Sequence, residues 1–387
     1  MHDEATGLKP LEATGLKPLE ATGLTPLEVI GLKPLEVIGL KPLEVIGLTP
    51  LELGALMPRD GRPSPTRGKA LWRWLREEAD VPATTWPESL PELGRNALSE
   101  LQRHVALPDV VIEERYVSRD GTIKWRLTCR GRPIETVMIP TATRATVCVS
   151  SQSGCTRWCD FCATARMSFG GQLSAGEIVA QVLLARRAAT VPLTNVVFMG
   201  MGEPLDNFEA VLTAVRVLDE GVGIAPKHCT VSTSGVLPRM IDLWERSRAS
   251  LALSLHATTQ ELRDRLMPRV KRWPLAALCE WMRAASEAPL NGAKPRHFFI
   301  EYAMLRGIND SDADADRLVA LMAGIRARIN LIPFNASDGL PYGRPDAERI
   351  RAFQHRVIAG GLLTIVRETR GDDAAAACGQ LAVGRAG

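Results

Sequence analysis

Three cysteines in one short loop constrain this chain more than any other feature. The segment CVSSQSGCTRWCDFC runs from Cys148 to Cys162 and holds Cys155, Cys159 and Cys162 in C-x-x-x-C-x-x-C spacing. Thiolates so close together face one point only if the backbone curls around it, and Gly154 supplies the freedom for that curl. Soft thiolate ligands select zinc, Cu(I) or iron–sulfur. A structural zinc site normally draws four ligands from two knuckles, and no second C-x-x-C follows here. An iron–sulfur cluster with one iron left open to a small molecule fits the set better. Three buried free thiols in a tight turn is the plainer alternative, but four of the chain's eight cysteines fall within these fifteen positions.

With 387 residues, 45% hydrophobic and 24% charged, the chain has room for two or more domains and a sizeable core. A formal net charge of +3 gives no strong push toward nucleic acid, so any basic surface must be local. No apolar run approaches the roughly 18 residues of a membrane span. Residues 2–30 lack the cationic and apolar regions of a signal peptide. Cys129, Cys229, Cys279 and Cys378 are scattered, unlike a disulfide framework. A monomer of the reducing cytoplasm, away from membranes, is the expectation.

Residues 1–58 form an octapeptide repeat, with Pro10, Pro18, Pro26, Pro34, Pro42, Pro50 and Pro58 in register. Pro and Gly in every unit oppose continuous helix, which predicts a disordered, low-complexity extension. A repeated docking motif, or a true start at Met57, are the other readings. Residues 59–107 turn helical, with Arg67, Lys69, Arg73 and Arg76 between Trp72 and Trp74, and read as a small accessory domain. Its basic and aromatic residues suit either an RNA contact or a solvated face over a Trp-anchored core. Residues 108–147 read as strands, with Asp120-Gly121 as a hairpin turn. Glu135 stands among apolar residues in IETVM, either as an exposed strand position or as a base.

From 148 to 387 helix and strand alternate: LSAGEIVAQVLLARRAA with Ser174 and Glu177 as a capping box, NVVFMGMGEP, HCTVSTSG, LALSLHA, HFFIEYAML, INLIPFN and LLTIVRE. This predicts an α/β fold with a parallel sheet closed into a full or partial barrel. Polar residues just past such strands line the active mouth, and Gly202, Glu203, Ser232, Ser254, His256 and Asn335 hold such positions. In RETRGDDAAAACGQL, Cys378 lies in a loop of small residues, which suits an accessible, chemical thiol better than a core one.

The segments CVSSQSGCTRWCDFC, VVFMGMGEPLDN, VSTSGVLP, LALSLHA, NLIPFN and TRGDDAAAACGQL together resemble the RlmN/Cfr family of radical S-adenosylmethionine methyltransferases, which act on adenosine in RNA. The resemblance runs from about Arg67 to Leu381. It implies a [4Fe-4S] cluster on Cys155, Cys159 and Cys162, whose open iron chelates S-adenosylmethionine. Gly202, Glu203, Ser232, Ser254, Leu255, His256 and Asn335 match the family's cofactor-contacting positions. Cys378 would be methylated by one S-adenosylmethionine. A second would be cleaved to a radical that takes a hydrogen from that methyl, so the methylene can add to an adenine carbon. Glu135 matches the proton acceptor, and Cys148 would release the RNA by pairing with Cys378. A flavodoxin-type electron donor and an rRNA substrate, with tRNA as a second candidate, follow from the same resemblance.

An adenine amidine carbon is electrophilic, so ordinary methyl transfer fails there and a protein-borne radical avoids the problem. Such chemistry asks for a shielded pocket and a base lifted from its stack. Where the family has a Gly-Phe-x-Arg-Asn-Leu type stretch, this chain reads MSFGGQL, without the basic residue around Gly170 to Gln172. Carbon 8 specificity, another RNA substrate, or a non-catalytic RNA-binding protein with a metal knuckle are the competing readings. A protein of the last kind has no use for Cys148 or Cys378.

Overall fold

Alternating apolar strands and capped helices build one ten-stranded sheet in the computed structural model, which describes residues 43–79, 85–287, 296–337 and 339–382. The strands are β1 (Val110–Val117), β2 (Ile123–Cys129), β3 (Arg132–Pro140), β4 (Ala145–Cys148), β5 (Leu193–Phe198), β6 (Cys229–Thr233), β7 (Ser250–Ser254), β8 (Phe298–Met304), β9 (Ala327–Pro333) and β10 (Leu363–Val366). Each lies beside its neighbour in sequence. Pairing is antiparallel from β1 to β4 and parallel from β4 to β10.

Helices join the parallel strands, beginning with α4 (Ala175–Ala188) between β4 and β5. Its start is fixed by the expected box: Ser174 Oγ accepts from Glu177 N at 3.0 Å, and the Glu177 carboxylate accepts from Ser174 N at 2.7 Å. Strands covered on both faces read as nearly unbroken apolar runs, and β8 is buried almost throughout. The sheet is curled and open. Side chains of β3 and β4 (Ile139, Thr146) share one cavity with side chains of β9 and β10 (Ile332, Ile365), yet the edge strands β1 and β10 do not pair.

The N-terminal segments depart from expectation. The repeat was expected to run unstructured to residue 58, but its last units fold from Leu43 onward; residues 1–42 lie outside the described residues. Leu43–Glu44 pairs in parallel with Val105–Ala106. Helix α1 (Pro50–Leu56) is capped reciprocally by Thr49 and Glu52. Proline at its first position is harmless because that N–H has no helical partner. Val45, Ile46, Leu53 and Leu56 are buried in the main core.

Helix α2 (Pro65–Glu77) packs against α1 at Gly68, where a Cβ would stand 1.8 Å from Pro50 O. Trp72 Nε1 donates to Leu48 O at 2.8 Å, and Trp72 and Trp74 are buried. The tryptophans are therefore core, while Lys69 and Arg73 stay on the surface. Helix α3 (Arg95–His104) completes this region, which shares one continuous apolar core with the sheet.

A chain shortened to begin at Met57 should be markedly less stable. It loses Val45, Ile46, Leu53 and Leu56, each worth about 1.5–3 kcal/mol when fully buried. Thermal unfolding of the two chains checks this, and an unchanged midpoint would mean the folded repeat units contribute nothing.

Candidate active site

The cysteine loop leaves the end of β4 and is gripped from both sides. Gly154 has φ +73°, and a Cβ there would stand 2.5 Å from Ser168 O, so the curl requires glycine. Gln152–Ser153 pairs with Gly171–Gln172, placing MSFGGQL as a brace beneath the loop. At Gly170 a Cβ would meet Ser153 Oγ at 2.6 Å, and Gln172 Nε2 donates to Asp206 O at 3.0 Å. A small apolar cluster of Phe161, Leu266, Met267, Val270 and Phe334 packs behind the cysteines.

One cavity at the C-terminal ends of the parallel strands gathers most of the expected residues. Cys155, Cys159, Cys162, Gly202, Glu203, Ser232, Ser254, His256, Asn335 and Cys378 all line it. Leu255 does not; it is fully buried, and its N donates to Glu301 O at 3.0 Å. Nor do Glu135 and Cys148. Cys148 shares a second cavity with Cys378, Asn335, Arg144, Arg367 and Arg370. Cys378 and Asn335 thus stand where the two cavities meet.

Each polar side chain has a definite partner. The Glu203 carboxylate accepts from Ser234 N and Oγ, both at 2.8 Å, and from Leu205 N at 3.1 Å. Burial raises its pKa against those donors. Gly202, at φ +104°, leaves no room for a Cβ, which would lie 2.6 Å from Gln152 Cβ. Ser232 Oγ and Ser254 Oγ are 3.3 Å apart across neighbouring strands. His256 Nδ1 accepts from Ala303 N at 2.9 Å, which assigns the ring proton to Nε2. Burial, helped by Arg263, lowers the His256 pKa to about 3, so the ring is neutral. Asn335 Nδ2 donates to Cys378 O at 3.2 Å, and its Oδ1 accepts from Thr369 Oγ1 at 2.9 Å.

Glu135 is buried, not exposed. Its carboxylate lies 3.4 Å from Lys124 Nζ and accepts from Ala382 N at 3.0 Å, beneath the C-terminal loop. Burial raises its pKa against those two partners. Cys378 is the exposed cysteine of the eight, opening onto the two cavities. Desolvation raises its pKa, and the Glu301 carboxylate adds to the rise. Burial also raises Cys148, with Cys378 close enough to add to it.

The donor set fits a cluster. Three thiols line one cavity wall, and desolvation followed by their mutual repulsion holds Cys159 far above its usual range. Among the described residues no group of three His, Cys, Asp or Glu side chains is gathered tightly enough for a single ion. Arg263 is fully buried beside Cys159, and its Nε and Nη1 have no acceptor. Donors left unpaired there suit the sulfur of a cluster-bound thiolate or sulfide.

Reading the sequence missed Arg263 and Glu301. Glu301 lines the main cavity from β8, in register with Ser254 on β7 and Asn330 on β9. The signal was present in HFFIEYAML, a carboxylate inside an apolar run, as at Glu135. Arg263 carried no such mark, because its helix α7 (Gln260–Leu266) alternates charges like any solvated helix.

The comparisons with known proteins agree with this geometry. Residues 149–319 match the Radical SAM superfamily. A dual-specificity RNA methyltransferase RlmN of Dinoroseobacter shibae is 42% identical over 331 residues, covering 81% of this chain and 82% of its own. Its counterpart from an Anaeromyxobacter species is 43% identical, covering 82% and 85%. The crystal structure of a radical SAM methyltransferase from Sphaerobacter thermophilus superposes with a TM-score of 0.78 at 38% identity, covering 88% of this chain and 99% of that one.

Replacing Arg263 with Met should keep the fold but weaken cluster retention about 10–100-fold, the usual cost of losing an outer partner of a metal ligand. Iron and acid-labile sulfide per chain after anaerobic purification is the measurement. Wild-type content in the variant would show that Arg263 does not serve the cluster.

Proposed function

Because the chain belongs to the RlmN family of radical S-adenosylmethionine RNA methyltransferases, we propose that it methylates carbon 2 of an adenosine in 23S rRNA, and in tRNA, through a methyl carried on Cys378. The carrying observation is the position of Cys378 between two unlike cavities. One holds the three-cysteine loop and the polar strand ends. The other holds Cys148 and three arginines.

The residues divide the work. Cys155, Cys159 and Cys162 would hold a [4Fe-4S] cluster, which when bound supplies the electron for cleaving S-adenosylmethionine. Glu203, Ser232, Ser254, His256, Asn335 and the backbone at Gly202 and Leu255 would orient that molecule toward Cys378. Two molecules would be used per turnover, one to methylate the thiol and one to activate the methyl. Neutral His256 can donate from Nε2 without adding charge.

Arg144, Arg367 and Arg370 give the second cavity a positive rim suited to RNA phosphates, with the target base lifted in toward Cys378. Cys148, which lines the second cavity with Cys378, would release the product by forming a disulfide with Cys378 as the bond from that sulfur to the RNA-bound methylene breaks. Glu135 stands beneath the same loop and would accept the adenine proton once the Ala382 N–H that now donates to its carboxylate moves away. A flavodoxin-type donor would supply electrons to a monomer in the cytoplasm.

Cys378→Ala should abolish methyl transfer. Cys148→Ala should leave RNA covalently attached, visible as a denaturation-resistant RNA–protein band. Free methylated RNA released by Cys148→Ala at the normal rate would overturn its role. Nucleoside mass spectrometry of rRNA and tRNA from cells with and without the gene tests the whole reading. Loss of 2-methyladenosine supports it, loss of 8-methyladenosine moves the specificity to carbon 8, and no change in either fraction counts against it.

A further inference from the structure

Glu301 has a carboxylate oxygen with nothing to hold it. Its Oε1 accepts from Asn330 Nδ2 at 2.7 Å, which fixes the plane of the group. Its Oε2 is the one buried carboxylate oxygen among the described residues that lacks a donor. The side chain is 3% exposed and lines the same cavity as Cys378. The other charged group acting on it is Arg367, from just past β10. Other acceptors near the cavity are occupied: Glu203 by Ser234 and Leu205, and His256 Nδ1 by Ala303 N. Glu135 is held by Lys124 and Ala382.

We propose that Glu301 is the base that takes the proton from Cys378 when that thiol is methylated. This rests on the methyl-carrier reading of Cys378. In the step, the Cys378 S–H bond breaks and its proton goes to Glu301 Oε2. The sulfur lone pair forms the new S–CH3 bond, and the methyl–sulfonium bond of S-adenosylmethionine breaks. S-adenosylhomocysteine leaves, and the sulfonium charge is cancelled as the carboxylate becomes neutral. One oxygen of Glu301 is anchored by Asn330 and the other lacks a donor, and the residue lines the cavity onto which Cys378 opens. Burial of Glu301 raises its affinity for a proton, as a base in this position requires.

Two readouts on the full-length protein test this. The first is the rate at which methyl appears on the Cys378 peptide with S-adenosylmethionine, followed by mass spectrometry. Glu301→Gln should slow it about 100-fold, the usual scale of general-base assistance. The second is the pH profile of Cys378 alkylation by iodoacetamide, read on the same peptide without S-adenosylmethionine. The wild-type rate should rise with ionisation of the carboxylate; in Glu301→Gln it should rise only at the more alkaline pH where the thiol ionises alone.

Glu301→Asp should keep the wild-type profile at a reduced rate, and it carries the test if the Gln variant does not fold. Slow methylation with an unchanged alkylation profile would make Glu301 a ligand of S-adenosylmethionine and overturn the proposal, as would wild-type behaviour in both readouts. No methyl on Cys378 even in the wild type would instead sink the carrier reading on which the proposal stands.

Discussion

The chain's C-terminal loop is fastened directly to its cysteine loop, and the site depends on that junction. Ala163 N, next to Cys162, donates to Gly379 O at 2.9 Å, and Thr164 Oγ1 donates to Leu381 O at 2.6 Å. These bonds span more than 200 residues of sequence. Around them Gln380 Nε2 reaches Ala336 O, Asn335 holds Cys378 O, and Lys124 Nζ reaches Ala375 O. Backbone polar groups in a covered loop must be satisfied somewhere. Here the partners come from the cysteine loop, β2, β3 and the end of β9, so the loop closes over the cavity in one arrangement.

That arrangement turns two ordinary features into a reactive one. A loop of alanines and glycines is a poor core former, and a thiol within it would otherwise face bulk water. Pinned across the curled sheet, Cys378 stays exposed and opens onto a cavity on either side. Desolvation raises the thiol's pKa and makes it a weaker nucleophile at rest. A protein that uses such a thiol gains from a nearby base, and Glu301, with one oxygen lacking a donor, lines the same cavity. Buried polar atoms with unmet hydrogen bonds, here Glu301 Oε2 and the Nε and Nη1 of Arg263, mark places where the fold gives up stability.

The N-terminal units show how the same sequence can read as filler and still fold. A unit such as LEVIGLTP has too few residues to bury its own leucines and isoleucine. Docked on α2 and α4 it need not: Val45 and Ile46 enter a core already built, and Thr49 ends one turn and starts α1. Proline then falls at the first helical position, where it is favoured, although the repeat as a whole opposes helix.

Local chemistry settled much of this protein from sequence alone. The cysteine spacing, the Ser174 cap, the parallel strand–helix alternation and the polar residues at strand ends are short-range patterns. A capping box or a strand end carries its meaning within a few residues. The positions of Cys148, Glu135, Arg263 and Glu301 were different. Each depends on which distant segment lies opposite, and burial of a charge is a property of the assembled sheet. Only the tertiary structure could decide that Glu135 supports the C-terminal loop, that Arg263 stands behind Cys159, and that Glu301 shares a cavity with Cys378. Its reason is physical: a charged side chain in an apolar run looks the same whether its strand edge meets water, a partner or an empty place waiting for one.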